Sequence, residues 1–367
     1  MNIPELTPEQ LTERIAADCV AKGRRFIQSG ALTFMLHPSL RFNAFADASN
    51  PANLVFGITS ALRDRLYDVS CQFTREVLDD LGPRRPIGWR AALLAEFARP
   101  GANEVDHIQL FRMALSLILG HELGHIRQSH HLSKTALGLA GTHARTDENG
   151  AWNPDANAPN HEADAVPNQY AAAPNSDRFV FELAADYEGM QFCMPLFVSN
   201  VGSAEQPVLQ VLLKQLWLFM CAATLVFFVL EREGRPRPPF GFVGTHPAAP
   251  ARLLWMIKAT LLTLSGRPGL QQQLDADAAF DYLVDAVDFS THFWHGLLRR
   301  NGAAGAAPEV HPSLVLDLLP TYGAWQSTMT GEWNRVVPVI NEHIAMGRKL
   351  PLFEQDPGAA RPQHHRV

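Results

Sequence analysis

Cysteine is scarce in this chain: four in 367 residues, at Cys19, Cys71, Cys193 and Cys221, with no C-x-x-C pair among them. That argues against a disulfide-stapled secreted scaffold and leaves reduced thiols in an intracellular protein as the expectation. Excess positive charge is also missing. Lys and Arg number 31 against 37 Asp and Glu, a net charge of −6, and the short arginine clusters at 83–86 and 232–239 form no stripe. No nucleic-acid partner is expected from such a balance. The opening "MNIPELTPEQ" has no apolar core of a signal peptide, so the expected location is cytoplasmic. The longest uncharged apolar run, Leu216 to Leu230, is fifteen residues. At 1.5 Å per residue it falls short of a roughly 30 Å hydrocarbon core, and a buried core helix is the first reading, a membrane-associated one the alternative.

With 47% hydrophobic residues there is ample material for a large core. Thr7, Pro8 and Gln10 form a helix-start signal, with Gly30 as the expected stop. Residues 31–50 have extended character, and Pro38 restricts them to short or edge strands. A strand and a helix ending at Gly82 follow, then a short helix within 86–101 and a long apolar helix from Asn103. Residues 142–177 are acidic, aperiodic and rich in Asn, Pro and Ala, the composition of an insertion loop or lid. Helices resume with a segment reaching about Pro195 and continue to about residue 350. The tail 351–367 is expected to be disordered. The fold class read from this pattern is mainly α with a small β-sheet. Its expected organisation is an N-terminal helix (1–30), a core (31–260) and a helical extension (261–350) packed on that core.

The chemistry concentrates in "LILGHELGHIRQSHH", residues 117–131. His121 and His125 are four apart on a helix and so share a face, where both can ligate one metal ion. Glu122 falls beside that ion and can take a proton from water, which is the physical content of H-E-x-x-H. The same residues could instead be two satisfied core histidines and a structural glutamate, but burying three polar groups on an apolar helix is costly. The third ligand has two candidates. His131 lies six residues after His125, as in H-E-x-x-H-x-x-G-x-x-H, but Gln128 stands where that motif needs a glycine for its turn. Glu182 in "FELAADYEGM" would complete a His₂Glu set, leaving the fourth position open for catalysis. Asp186, four residues on, can accept the ring N–H of a ligand histidine. Glu162 in "NHEADA" copies part of this pattern from within the acidic loop.

Four collinear stretches carry a family resemblance: "NAFA" at 43–46, "HELGHIRQSH" at 121–130, "ELAAD" at 182–186 and "THPAAPARL" at 245–253. Over roughly residues 30–260 the chain resembles the M48-type gluzincins, the group of the CAAX prenyl endopeptidases and HtpX-like heat-shock proteases. A soluble phage-exclusion type of bacterial H-E-x-x-H protease has a similar layout. The resemblance implies a zincin-like core with an active-site helix and an edge strand. It implies one zinc ion on His121, His125 and Glu182, with Glu122 as general base. It further implies that His246 meets the oxyanion and that Arg252 organises the carboxylates behind the metal. Asn43, Ala44 and Phe45 would bind a protein or peptide substrate as an added strand. The expected activity is zinc-dependent endopeptidase hydrolysis. A catalytically quiet zinc-binding regulator, and a membrane-associated protease using helix 216–230, are the alternatives.

Overall fold

The computed structural model describes residues 6–27, 30–81, 102–138, 176–198, 208–231, 246–265, 276–300, 314–344 and 349–353. The short helix expected within 86–101, the acidic loop except its last two residues, Glu162 and the tail beyond Phe353 lie outside them. The described chain is mainly helical with one small sheet.

Helix α1 (Pro8–Gly23) starts as its sequence requires. Thr7 Oγ1 accepts from Gln10 N, and Thr7 N donates to Gln10 Oε1. It ends seven residues before Gly30, passing into a 3₁₀ turn over Arg24–Phe26. At that end the helix lies close against the sheet, where a Cβ on Gly23 would sit 2.7 Å from Leu32 Cδ2. Gly30 serves the next turn instead, with φ +94.

The sheet holds β1 (Ala31–His37), β2 (Ala44–Asp47) and β3 (Asn53–Thr59) in the order β1-β3-β2. β1 runs parallel to β3 and β2 antiparallel to it, so the two strands flanking Pro38 are both edges, as a proline demands. The central strand is the most buried, with Phe56 and Ile58 fully enclosed. Helix α2 (Ser60–Leu81) leaves directly from β3.

Helix α3 (Ala102–Arg127) runs through the middle of the molecule, touching α1, α2, β2 and β3. It buries Phe111, Leu115 and Leu119 completely. After a two-residue turn comes α4 (His130–Ala136). Helix α5 (Ser176–Val198) runs one turn past the expected end, with Pro195 inside it. A proline there removes one N–H to the carbonyl of Gln191 and leaves the remaining ladder in place.

Helix α6 (Val208–Glu231) contains the apolar run. It packs against α2, α3, α5, α7 (Ala249–Ser265) and α8 (Ala276–Arg300), and its most apolar 18-residue window is 78% buried. Its apolarity is therefore used inside the protein. Helix α9 (Leu314–His343) packs on α4, α5, α7 and α8, and one continuous cluster of buried side chains extends from Leu11 to Phe353.

The closest helix pair is α3 with α5, and small residues make it so. A Cβ on Gly120 would sit 2.9 Å from Gly189 Cα, one on Gly124 3.0 Å from Ala185 Cα, and one on Gly189 2.6 Å from Leu117 O. Gly120 and Gly124 are four apart on α3, as Ala185 and Gly189 are on α5, so each pair lies on one helix face. Gly189→Ala is expected to destabilise by about 1–3 kcal/mol, because the atom it strikes is backbone. Gly331→Ala on α9, where a Cβ meets nothing within 4 Å, is expected to stabilise by about 0.5–1 kcal/mol. Chemical denaturation of both variants checks the contrast; equal effects would show that the α3–α5 approach is not constrained as described.

Candidate metal centre

Because α3 and α5 approach so closely, side chains one turn apart on each meet between them. His121 Nε2 and His125 Nε2 lie 3.1 Å apart, and Glu182 approaches them at 3.5 Å (Oε2 to His121 Nε2) and 3.8 Å (Oε1 to His125 Nε2). All three are in one group whose ligand atoms lie within 4.8 Å of one another, able to hold a metal ion. His131 is outside this group.

Glu182 Oε2 is buried and makes no hydrogen bond of acceptable geometry, although His246 Nε2 is 3.2 Å from it. A carboxylate oxygen stripped of water without a donor is costly unless a cation compensates it. With only protein charges present, burial lowers the affinity of His121 for a proton. The hydrogen bond to Asp186 and the negative charge of the nearby Glu182 carboxylate outweigh this and raise its pKa to about 10. His125 has no such partner on its metal side, and burial depresses it to about 3, so it remains a neutral ligand. Burial pushes Glu182 up, but the neighbouring histidines His246, His125 and His121 outweigh it and hold the group well below its ordinary value.

Behind His121 the orientation is set by charge. Its Nδ1–H donates to Asp186 Oδ1 at 2.8 Å, which leaves Nε2 facing His125 and Glu182. Arg252 holds Asp186 with both ends of its fork, Nε to Oδ2 at 2.8 Å and an η-nitrogen to Oδ1 at 2.6 Å. The Arg252 guanidinium also stacks 4.0 Å above the Phe227 ring. Glu231 caps the start of α7 by accepting from Ala249 N, which fixes the helix that carries Arg252. Desolvation pushes Asp186 up, yet Arg252 and His121 together keep it ionised, below its ordinary value.

Glu122 is buried beside this group, and desolvation is the main cause raising it to about 7. His246, its side chain 52% exposed, stands on the open side of Glu182. The turn after α3 brings a further residue into the site. Ser129 adopts φ +47, the left-handed conformation the sequence motif would assign to a glycine at 128. His130, not His131, is thereby carried back beneath His125, with Nδ1 to Nδ1 at 2.6 Å.

The edge strand β2 packs on α3. Asn43 O accepts from Thr59 N at 2.9 Å, and Asn43 N donates to Thr59 Oγ1 at 3.1 Å. Pairing alternates along an antiparallel ladder, so Phe45, opposite Gly57, also faces β3. The backbone groups of Ala44 and Ala46 point the other way. Phe45 is only 3% exposed, its ring tip reaching over Gly57, where a Cβ would lie 2.7 Å from it. Of the expected strand-binding residues, then, Ala44 presents outward backbone and Ala46 joins it, while Asn43 and Phe45 are used within the sheet.

Replacing Arg252 by Leu would leave Asp186 as an uncompensated buried carboxylate. The expected cost is about 3–5 kcal/mol of stability, with metal affinity falling about 10–100-fold; denaturation and chelator competition measure the two. Unchanged metal affinity would detach Arg252 from the site.

Among the three kinds of comparison with known proteins, no family model, curated protein or solved structure matches this chain. What stands is a buried His121, His125 and Glu182 group of metal-binding geometry, built where two helices meet through glycine.

Proposed function

We propose that the chain is a zinc-dependent endopeptidase of the gluzincin type, with a zincin-like core formed by β2, α3 and α5. The observation that carries this reading is the convergence of His121, His125 and Glu182 with a buried, undonated Glu182 Oε2. Ligands about 2.0–2.1 Å from a tetrahedral zinc lie roughly 3.3–3.4 Å from one another. The two ring nitrogens lie 3.1 Å apart, and Glu182 stands 3.5 Å (Oε2) from one ring and 3.8 Å (Oε1) from the other, close to that spacing. Two nitrogens and one carboxylate favour zinc over the harder ions, which prefer all-oxygen sites. Three protein ligands also leave the open position that catalytic sites keep.

Zinc in this site would supply Lewis acidity, making water acidic near neutral pH and polarising a carbonyl. The protein does the rest. Glu122 takes the proton of the attacking water and passes it to the leaving amine as the C–N bond breaks. A carboxyl raised to about 7 is suited to both transfers. His246, on the open side, donates to the oxygen on which charge develops. The outward backbone of Ala44 and Ala46 holds the substrate as an added strand, which favours extended peptides and unstructured protein with little side-chain selection.

Glu122→Gln is expected to retain zinc while losing about 10²–10⁴-fold in kcat on an unstructured substrate such as casein. Glu182→Ala is expected to lose zinc as well. Wild-type protein that retains zinc and cleaves nothing, under conditions where Glu122→Gln behaves identically, would contradict the endopeptidase reading. Because Glu122 works deprotonated, activity should rise with pH. Protein charges alone put that rise at about 7, and a bound cation moves it lower. Zinc uptake at pH 7–8 displaces the His121 proton, so calorimetry in buffers of differing ionisation enthalpy should find about one proton released per ion. Ala46→Pro removes one outward donor and should lower kcat/KM for long peptides about 3–10-fold with zinc content unchanged.

A further inference from the structure

We propose that Gln128 and His130 act as positioning residues for the metal centre: a neutral hydrogen-bond relay from the backbone of α5 that fixes the ring tautomer of His125. The proposal rests on the metal reading of His121, His125 and Glu182 and adds residues that reading does not need. His121 has an ionised carboxylate behind it, but no carboxylate stands behind His125 in the contacts described. Its Nδ1 faces His130 Nδ1 at 2.6 Å, and two unprotonated nitrogens cannot approach so closely. One must donate.

The rest of the chain of contacts decides which. His130 Nε2 is 2.6 Å from Gln128 Oε1, and Gln128 Nε2 donates to Ala184 O at 3.0 Å. The amide cannot be turned over, because Ala184 O accepts only, and Gln128 also hydrogen-bonds the Glu188 carboxylate. Its NH₂ therefore faces α5 and its oxygen faces His130. An oxygen there requires His130 to carry its proton on Nε2. In the neutral ring Nδ1 is then a lone pair, and it must accept from His125 Nδ1–H. That leaves the lone pair of His125 on Nε2, the atom 3.1 Å from His121 Nε2 and 3.8 Å from Glu182 Oε1. Gln128 is wholly buried and His130 is 3% exposed, so water does not substitute for either partner.

The geometry depends on the Ser129 turn. A continuous helix would carry residue 130 away from His125; the left-handed residue brings it back. The relay also ends on Ala184, two residues from Glu182, so the second and third ligands are tied to one helix segment. Glutamine at 128 is thus required for its side chain, where glycine would supply only a turn.

The test compares wild type with His130→Phe and His130→Asn in zinc affinity by chelator competition, with thermal unfolding of the metal-free proteins alongside. Phenylalanine fills the space but accepts nothing, whereas the Asn oxygen can occupy the position of Nδ1. Zinc binding is expected to weaken about 10–100-fold in His130→Phe and to recover most of that loss in His130→Asn. Equal affinity in the two variants would reduce His130 to a packing residue and overturn the relay. Nitrogen-15 NMR of zinc-loaded wild type does not depend on either variant folding. It should find His125 protonated at Nδ1 and His130 at Nε2, and the opposite tautomer of His130 would overturn the proposal. Wild type that binds no zinc would instead overturn the metal reading beneath it.

Discussion

The close approach of α3 and α5 is the constraint on which the site depends. Gly120, Gly124, Ala185 and Gly189 allow backbone to lie against backbone. Side chains that start from such near axes need not extend far to meet. Two imidazoles and a carboxylate therefore converge between the two helices. The helix that supplies the histidines is also the one on which the sheet and four other helices pack. Core formation and ligand placement are the same event, which puts the site on rigid elements.

That arrangement creates an electrostatic problem and divides the solution among three parts. Glu182 and Asp186 are two buried carboxylates one turn apart on α5. Asp186 is matched by Arg252 from α7 and by the ring N–H of His121. Glu182 is approached by His121, His125 and His246, and the neighbouring carboxylates raise the proton affinity of His121. In the proposed metal reading a divalent cation would satisfy Glu182 and displace a proton from His121, so that protonation and metal binding would compete for one position. The neutral side of the site, through His125, His130 and Gln128, adds no further charge. One imidazole is supported by a carboxylate and the other by a relay of dipoles, which limits how much negative charge accumulates around a single ion.

Much of this was legible from residue types and spacing. His121, His125, Glu182 and Asp186 announce themselves through four-residue intervals, and Pro38 marks both flanking strands as edges. The glycines were also visible, Gly124 as the fourth residue of the H-E-x-x-H and Gly120 directly before it, but their meaning lay in a partner helix more than sixty residues away. Gln128 could be read only as the absence of a glycine. Its function depends on Ser129 taking a backbone conformation that serine seldom adopts, which no local propensity predicts. His130 and His131 are neighbours of the same type, and only the direction of that turn separates them. Asn43 and Phe45 looked available for substrate because the sequence does not say which alternate backbone groups of an edge strand already face its neighbour; the pairing with β3 does. Helix α1 ends at Gly23, where it lies against Leu32 of the sheet, short of the local stop signal at Gly30.

Anomalous scattering from crystals of zinc-loaded protein, recorded on both sides of the zinc absorption edge, addresses the central claim most directly. The account predicts one strong peak about 2.0–2.1 Å from His121 Nε2, His125 Nε2 and a Glu182 oxygen, with a fourth position open toward His246. A peak bound through His131 or His130, or a His121–His125–Glu182 cluster that holds no metal at saturating zinc, would contradict it.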